Sequence, residues 1–80
     1  MELFGPKDCL IYYKKDGCWF RYNPGLFSKD VAEKVAESIK TVYPQRGVFV
    51  LRVENAFLFP DKTSNKNDLV ARGKVVWSKG

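Results

Sequence analysis

The chain reads as an α+β domain of ββαββ order, with one helix packed on one face of a mainly antiparallel four-stranded sheet. Three observations predict this. Two short β-rich segments are joined by Asp16-Gly17, an amphipathic stretch follows Ser28, and two more β-rich segments, residues 47–59 and 69–77, come after it. The 80 residues are expected to form a single domain, made of a hairpin over 9–22, a helix over 29–43 and a long hairpin over 47–77 with a mobile loop at 60–68. A chain this short buries only about 60–65% of the surface its unfolded form exposes, so it supports one core.

Residues 9–14, CLIYYK, and 18–22, CWFRY, are rich in β-branched and aromatic types. Asp-Gly supplies the positive φ values of a two-residue type I′ turn, which would set Lys14 opposite Trp19 and Tyr12 opposite Arg21. A three-residue Lys15-Asp16-Gly17 loop would instead bring Tyr13 opposite Trp19. Asn23-Pro24-Gly25 ends the second strand, because proline and glycine break the ladder and turn the chain.

Ser28 is suited to cap a helix, with Phe27 before it as a staple residue and Asp30 in the first turn, where the helix dipole favours negative charge. Val31, Val35, Ile39 and Val42, with Ala32 and Ala36 beside them, form an apolar stripe. Lys29, Glu33, Lys34, Glu37 and Lys40 form the solvated side. Pro44 stops the helix. Residues 47–59, GVFVLRVENAFLF, predict a strand with a bulge near Glu54-Asn55, where the alternation falters. The polar run 60–68 is a loop, and 69–77, LVARGKVVW, is the last strand.

One helix covers one face of such a sheet. Alternation assigns Phe49, Leu51 and Val53 to the helix side with Cys18, Phe20 and Tyr22, and with Leu69, Ala71, Val75 and Trp77 from the last strand. The uncovered face would then show Tyr12, Lys14, Trp19, Arg21, Arg52, Arg72 and Lys74 around a floor of Val48, Val50, Val70 and Val76. An apolar patch of that kind marks a contact surface.

Several chemistries are excluded. The chain has no histidine, so Ser-His-Asp and Cys-His catalysis cannot be assembled, and no GxxxxGK[ST] phosphate loop is present. Residues 46–53 open with Arg-Gly as an RNP1 signature does, but Val48 and Val50 stand where that signature has its stacking aromatics. Cys9 and Cys18 sit about 20 Å apart in the expected hairpin, against the roughly 7 Å limit for a disulfide, so both are read as reduced, half-buried thiols. No metal, cofactor or membrane contact is expected. The absence of any long apolar run favours a cytoplasmic protein.

Fourteen Lys and Arg against nine Asp and Glu leave a net charge of +5, and seven of the basic residues fall in 45–80. That excess favours anionic partners. The expectation is a small non-catalytic binding protein of accessory or inhibitor type, docking on a protein with an acidic surface or on a nucleoprotein complex. Trp19 would be its anchor, Tyr12 its neighbour, Lys14 beside them, and Arg21, Arg52, Arg72 and Lys74 the anion contacts, with Lys62 and Lys66 adding long-range attraction. The alternatives are direct binding of single-stranded DNA or RNA, and a homodimer through the valine floor.

Overall fold

The computed structural model describes residues 6–80. Strand β1, Lys7–Lys15, runs into β2, Cys18–Arg21, through a turn with Asp16 at φ 53° and Gly17 at φ 79°. These are the two left-handed positions of a type I′ turn, and they set the two-residue register: Lys14 opposite Trp19 and Tyr12 opposite Arg21. A two-residue strand β3, Phe27–Ser28, leads into helix α1, Lys29–Val42. The Ser28 hydroxyl accepts from the Val31 N–H at 3.5 Å, and Tyr43 closes the helix one residue before Pro44.

The remaining elements are β4, Val48–Arg52, a 3₁₀ turn at Ala56–Leu58, β5, Lys62–Thr63, helix α2, Lys66–Arg72, and β6, Lys74–Lys79. The sheet is antiparallel at every pairing, in the order β5-β2-β1-β4-β6, with β3 joined to β1. The α+β class therefore holds, but the sheet has six strands in place of four and a second helix is present.

Three of four corrections lie in the segment after Arg52. The expected strand 47–59 leaves the sheet at Arg52, and residues near Glu54-Asn55 start a 3₁₀ turn capped by the Asn55 side chain, which accepts from the Phe57 N–H at 3.0 Å. The register shift lies instead between Val50 and Leu51, where β4 meets β6. The loop 60–68 contributes β5 to the edge of β2 and the first turn of α2. Residues 69–72, expected as strand, are helical: Asn65 accepts from the Asp68 N–H at 3.3 Å, and Leu69 is buried. Seven residues are too few to display helical periodicity, which is why Leu-Val-Ala-Arg reads equally as strand.

Two apolar clusters sit on opposite faces of the sheet. Cys9, Ile11, Val48 and Val50 meet Ala32 and Ala36 of α1, with Val35, Ile39, Val76 and Trp77 around them. Leu10, Tyr12, Trp19, Phe49, Leu51 and Val53 meet Phe59 and Leu69 on the other side. Helix α1 thus rests on Val48 and Val50, the residues alternation had placed on the open face, while Phe49, Leu51 and Val53 face α2. Both sets in β4 are apolar, so period-two alternation separates them without saying which set meets which helix. The small alanines lie at the centre of the α1 contact, and Val42 is exposed.

Candidate binding surface

The segment from Glu54 to Gly73 folds across the face that was expected to be open, and this relocates most of the expected site. Tyr12 is fully buried. Its ring stacks on Phe49 with centroids 5.7 Å apart, and its hydroxyl donates to the Pro60 carbonyl at 2.6 Å. Trp19 is only 9% exposed and meets Phe49 edge-on at 5.0 Å. Lys66 Nζ lies 5.1 Å from the Trp19 ring centre. Neither aromatic is displayed as an anchor; both are core.

Arg21 is a staple. Its guanidinium donates to the carbonyls of Asn23 at 2.8 Å, Pro24 at 2.7 Å, Ala56 at 3.2 Å and Phe59 at 3.4 Å, tying the loop after β2 to the 3₁₀ turn. Those bonds occupy the donors that an anionic partner would need. Lys14 is exposed beside the Trp19 ring at the hairpin tip.

Arg52, Arg72 and Lys74 do come together, around a cleft of about 430 Å³ walled by Val53, Leu58 and Phe59. Their charge is largely balanced. Arg52 pairs with Asp8 at 3.1 Å, Arg72 pairs with Asp68 at 2.7 Å and donates to the Leu58 carbonyl, and Glu54 lines the same cleft. Phe57 and Leu58 stand in solvent at the tip of the neighbouring turn.

A different surface carries unspent aromatic and basic groups. Helix α1 packs on β1 and β4 and reaches β3 and β6, so the α1-side face of β2 lies beyond it. Register places Tyr13 opposite Phe20 on that face, with the rings stacked at 5.7 Å and 20°. Tyr22 and Tyr43 flank them at 48% and 42% exposure. Arg46 lies over Tyr43 with its guanidinium carbon 4.0 Å from the ring centre, and Lys62 Nζ is 5.5 Å from that of Phe20. Tyr13, Tyr22, Ile39, Tyr43 and Arg46 enclose a recess of about 200 Å³. No ion pair engages Arg46 or Lys62 among the described residues.

This shelf was missed because Phe20 and Tyr22 were assigned to the helix side and therefore to the core. The side is right for Phe20, but the helix does not extend over β2. The available signal was the run of large aromatics in the first hairpin: Tyr13, Phe20 and Tyr22 lie on strands that one 14-residue helix, about 21 Å long, must cover together with the rest of the sheet.

Both thiols are free, Cys9 buried and Cys18 half-buried at opposite ends of the hairpin. Burial, aided by a hydrogen bond to the Asp8 carboxylate, pushes the Cys9 thiol up to about 11 from its usual 9, and burial pushes the Tyr12 hydroxyl up to about 12 from 10. A raised folded-state value means that the folded protein holds its proton more tightly than the unfolded chain. These contributions are complete below pH 9 and are lost as pH rises, that of Cys9 between 9 and 11 and that of Tyr12 between 10 and 12. Each is worth about 2–3 kcal/mol at most. Urea midpoints should stay flat to pH 9 and then fall, and Cys9→Val should remove the earlier part of the fall. An unchanged profile in that variant would refute the assignment to Cys9.

Among the described residues no group of three or more His, Cys, Asp or Glu is placed to hold a metal ion, and no helix is long and apolar enough to cross a membrane. No family model, curated protein or solved structure matches the chain.

Proposed function

We propose that this is a non-catalytic binding protein of accessory or inhibitor type, which docks the Tyr13–Phe20–Tyr22–Tyr43 shelf on an acidic surface of a protein partner, one belonging to a nucleic-acid-handling assembly. The observation that supports this reading is an aromatic shelf at the edge of α1, half-buried at Tyr13 and Phe20 and exposed at Tyr22 and Tyr43, flanked by Arg46 and Lys62 without carboxylate partners among the described residues. Tyrosine and arginine are the residue types enriched at interface hot spots, and a preformed stacked pair loses little side-chain freedom on docking. The Arg52–Arg72–Lys74 cleft is a weaker candidate because Asp8, Asp68 and Glu54 offset its charge.

Tyr22 and Lys62 are exposed, so Tyr22→Ala and Lys62→Glu should melt within a few degrees of the parent, while affinity capture of the partner from host lysate drops at least about tenfold, as truncating a hot spot does. Capture of the same protein at parental yield by both variants would sink the reading.

A further inference from the structure

A groove of about 470 Å³ lies between the tip of the β1–β2 hairpin and the turn after α1, lined by residues 14–17 and 45–47. Its volume falls within the range of small-ligand sites, about 300–1,000 Å³. The walls are held by backbone bonds: the Lys14 N–H donates to the Gly47 carbonyl at 2.9 Å, and the Arg46 N–H donates to the Tyr43 carbonyl at 3.0 Å. Lys40 Nζ donates to the Arg46 carbonyl at 2.7 Å, which fixes the turn from the helix side. Gly47 lets the turn sit this close to the hairpin, because a β-carbon there would lie 2.9 Å from Trp19 Cη2.

Three cations, Lys14, Lys15 and Arg46, line this groove against one carboxylate, Asp16. None of the three takes part in an ion pair among the described residues. Arg46 also lines the tyrosine recess, so an anion site and a recess of exposed aromatic rings adjoin through one side chain. Unpaired nucleotides present that alternation, a charged phosphate followed by a flat base. A duplex does not, since its base faces are already stacked.

We propose that the groove binds the backbone phosphates of single-stranded nucleic acid through Lys14, Lys15 and Arg46, with a base lodged against Tyr22 and Tyr43. This goes beyond the protein-docking reading: it shares Tyr22, Tyr43 and Arg46 with the shelf, but Lys14 and Lys15 lie outside it and carry the part of the proposal that the shelf does not.

The test is fluorescence anisotropy of the full chain titrated into a short labelled oligothymidylate. Saturable binding is expected at about 50 mM salt, weakening with a log–log slope near −2, the value for three phosphate contacts on a single strand. The double variant Lys14→Ala/Lys15→Ala should bind about tenfold more weakly or worse, with the slope reduced by more than 1, whereas Lys34→Ala on the solvated side of α1 should match the parent. No anisotropy change, an unaffected double variant, or equal competition by duplex DNA or polyglutamate would each overturn the proposal. The double variant reports on the groove alone, and Lys62→Glu, at a position that lines neither the groove nor the tyrosine recess, reports on protein docking in the capture assay, so the two readings fail separately.

Discussion

Replacing Trp19 by alanine is expected to remove about 3–5 kcal/mol, a large part of the stability of a domain this size. The indole is 9% exposed, packs edge-on against Phe49 at 5.0 Å and fills the space under Gly47. Truncating a buried tryptophan costs about 3–5 kcal/mol through lost transfer energy and the cavity left behind. A chain of this length holds about 4–12 kcal/mol in total. The melting temperature should fall by about 12–40 °C, since each kcal/mol shifts a domain of this size by roughly 4–8 °C. In a Trp77→Phe background, the remaining Trp19 emission should be blue-shifted and should move to the red only on unfolding. A Trp19→Ala variant that melts like the parent would place this side chain on the surface, as the sequence alone had suggested.

The second large effect belongs to Asn23, which is fully buried. Its side-chain oxygen accepts from the Ile11 N–H at 2.8 Å, and its side-chain nitrogen donates to the carbonyls of Cys9 at 3.0 Å and Gly25 at 2.7 Å. Strand β2 ends at Arg21, yet β1 continues beside it. The Asn23 amide therefore satisfies β1 backbone groups in the gap between β2, which ends at Arg21 opposite Tyr12, and β3, which pairs Phe27 with Cys9. Asn23→Ala would leave the Ile11 N–H and the Cys9 carbonyl short of a partner in the interior, at about 1–3 kcal/mol for each group left unsatisfied, while the Gly25 carbonyl lies nearer the surface. A loss of about 3–5 kcal/mol is expected by chemical denaturation, with faster hydrogen exchange at the Ile11 amide. Asn23→Asp should fare little better, because the carboxylate keeps the acceptor but faces two carbonyls without a donor. A loss below about 0.5 kcal/mol in Asn23→Ala would remove Asn23 from the framework.

Asn23 shows why the sequence under-reports such a residue. Asn-Pro-Gly is turn chemistry, and nothing local distinguishes an asparagine that turns the chain from one whose amide replaces a missing strand. The difference depends on Cys9 and Ile11, which are 14 and 12 residues away. Arg21 makes the same point, since two of its four carbonyl partners lie outside its own strand and turn signature, in the 3₁₀ turn at Ala56–Leu58 and the residue after it.

The candidate surface was legible in kind and not in place. Aromatic and basic residues crowd the first hairpin, and the structure does present such a surface there, built from Tyr13, Phe20 and Tyr22 with Arg46 and Lys62. The residues chosen from alternation, Tyr12 and Trp19, are in the core, while Arg52, Arg72 and Lys74 share a charge-balanced cleft elsewhere. Lys14 alone of that set lines the groove assigned to phosphates.

What the sequence by itself determined was local: a tight turn at Asp16-Gly17, whose two-residue register the structure then selected, the Ser28 cap, the span of α1 and its end before Pro44. Each follows from backbone preferences of a few adjacent residues, which persist whatever packs on them. Only the tertiary structure decided which face of β4 meets α1, that a seven-residue helix covers Trp19's side of the sheet, and that β2 extends past α1. With apolar residues on both faces of β1 and β4, local alternation is the same for either choice. The choice is made by the volumes that must be filled, small alanines over valines on one face and Leu69 and Phe59 over the large aromatics on the other.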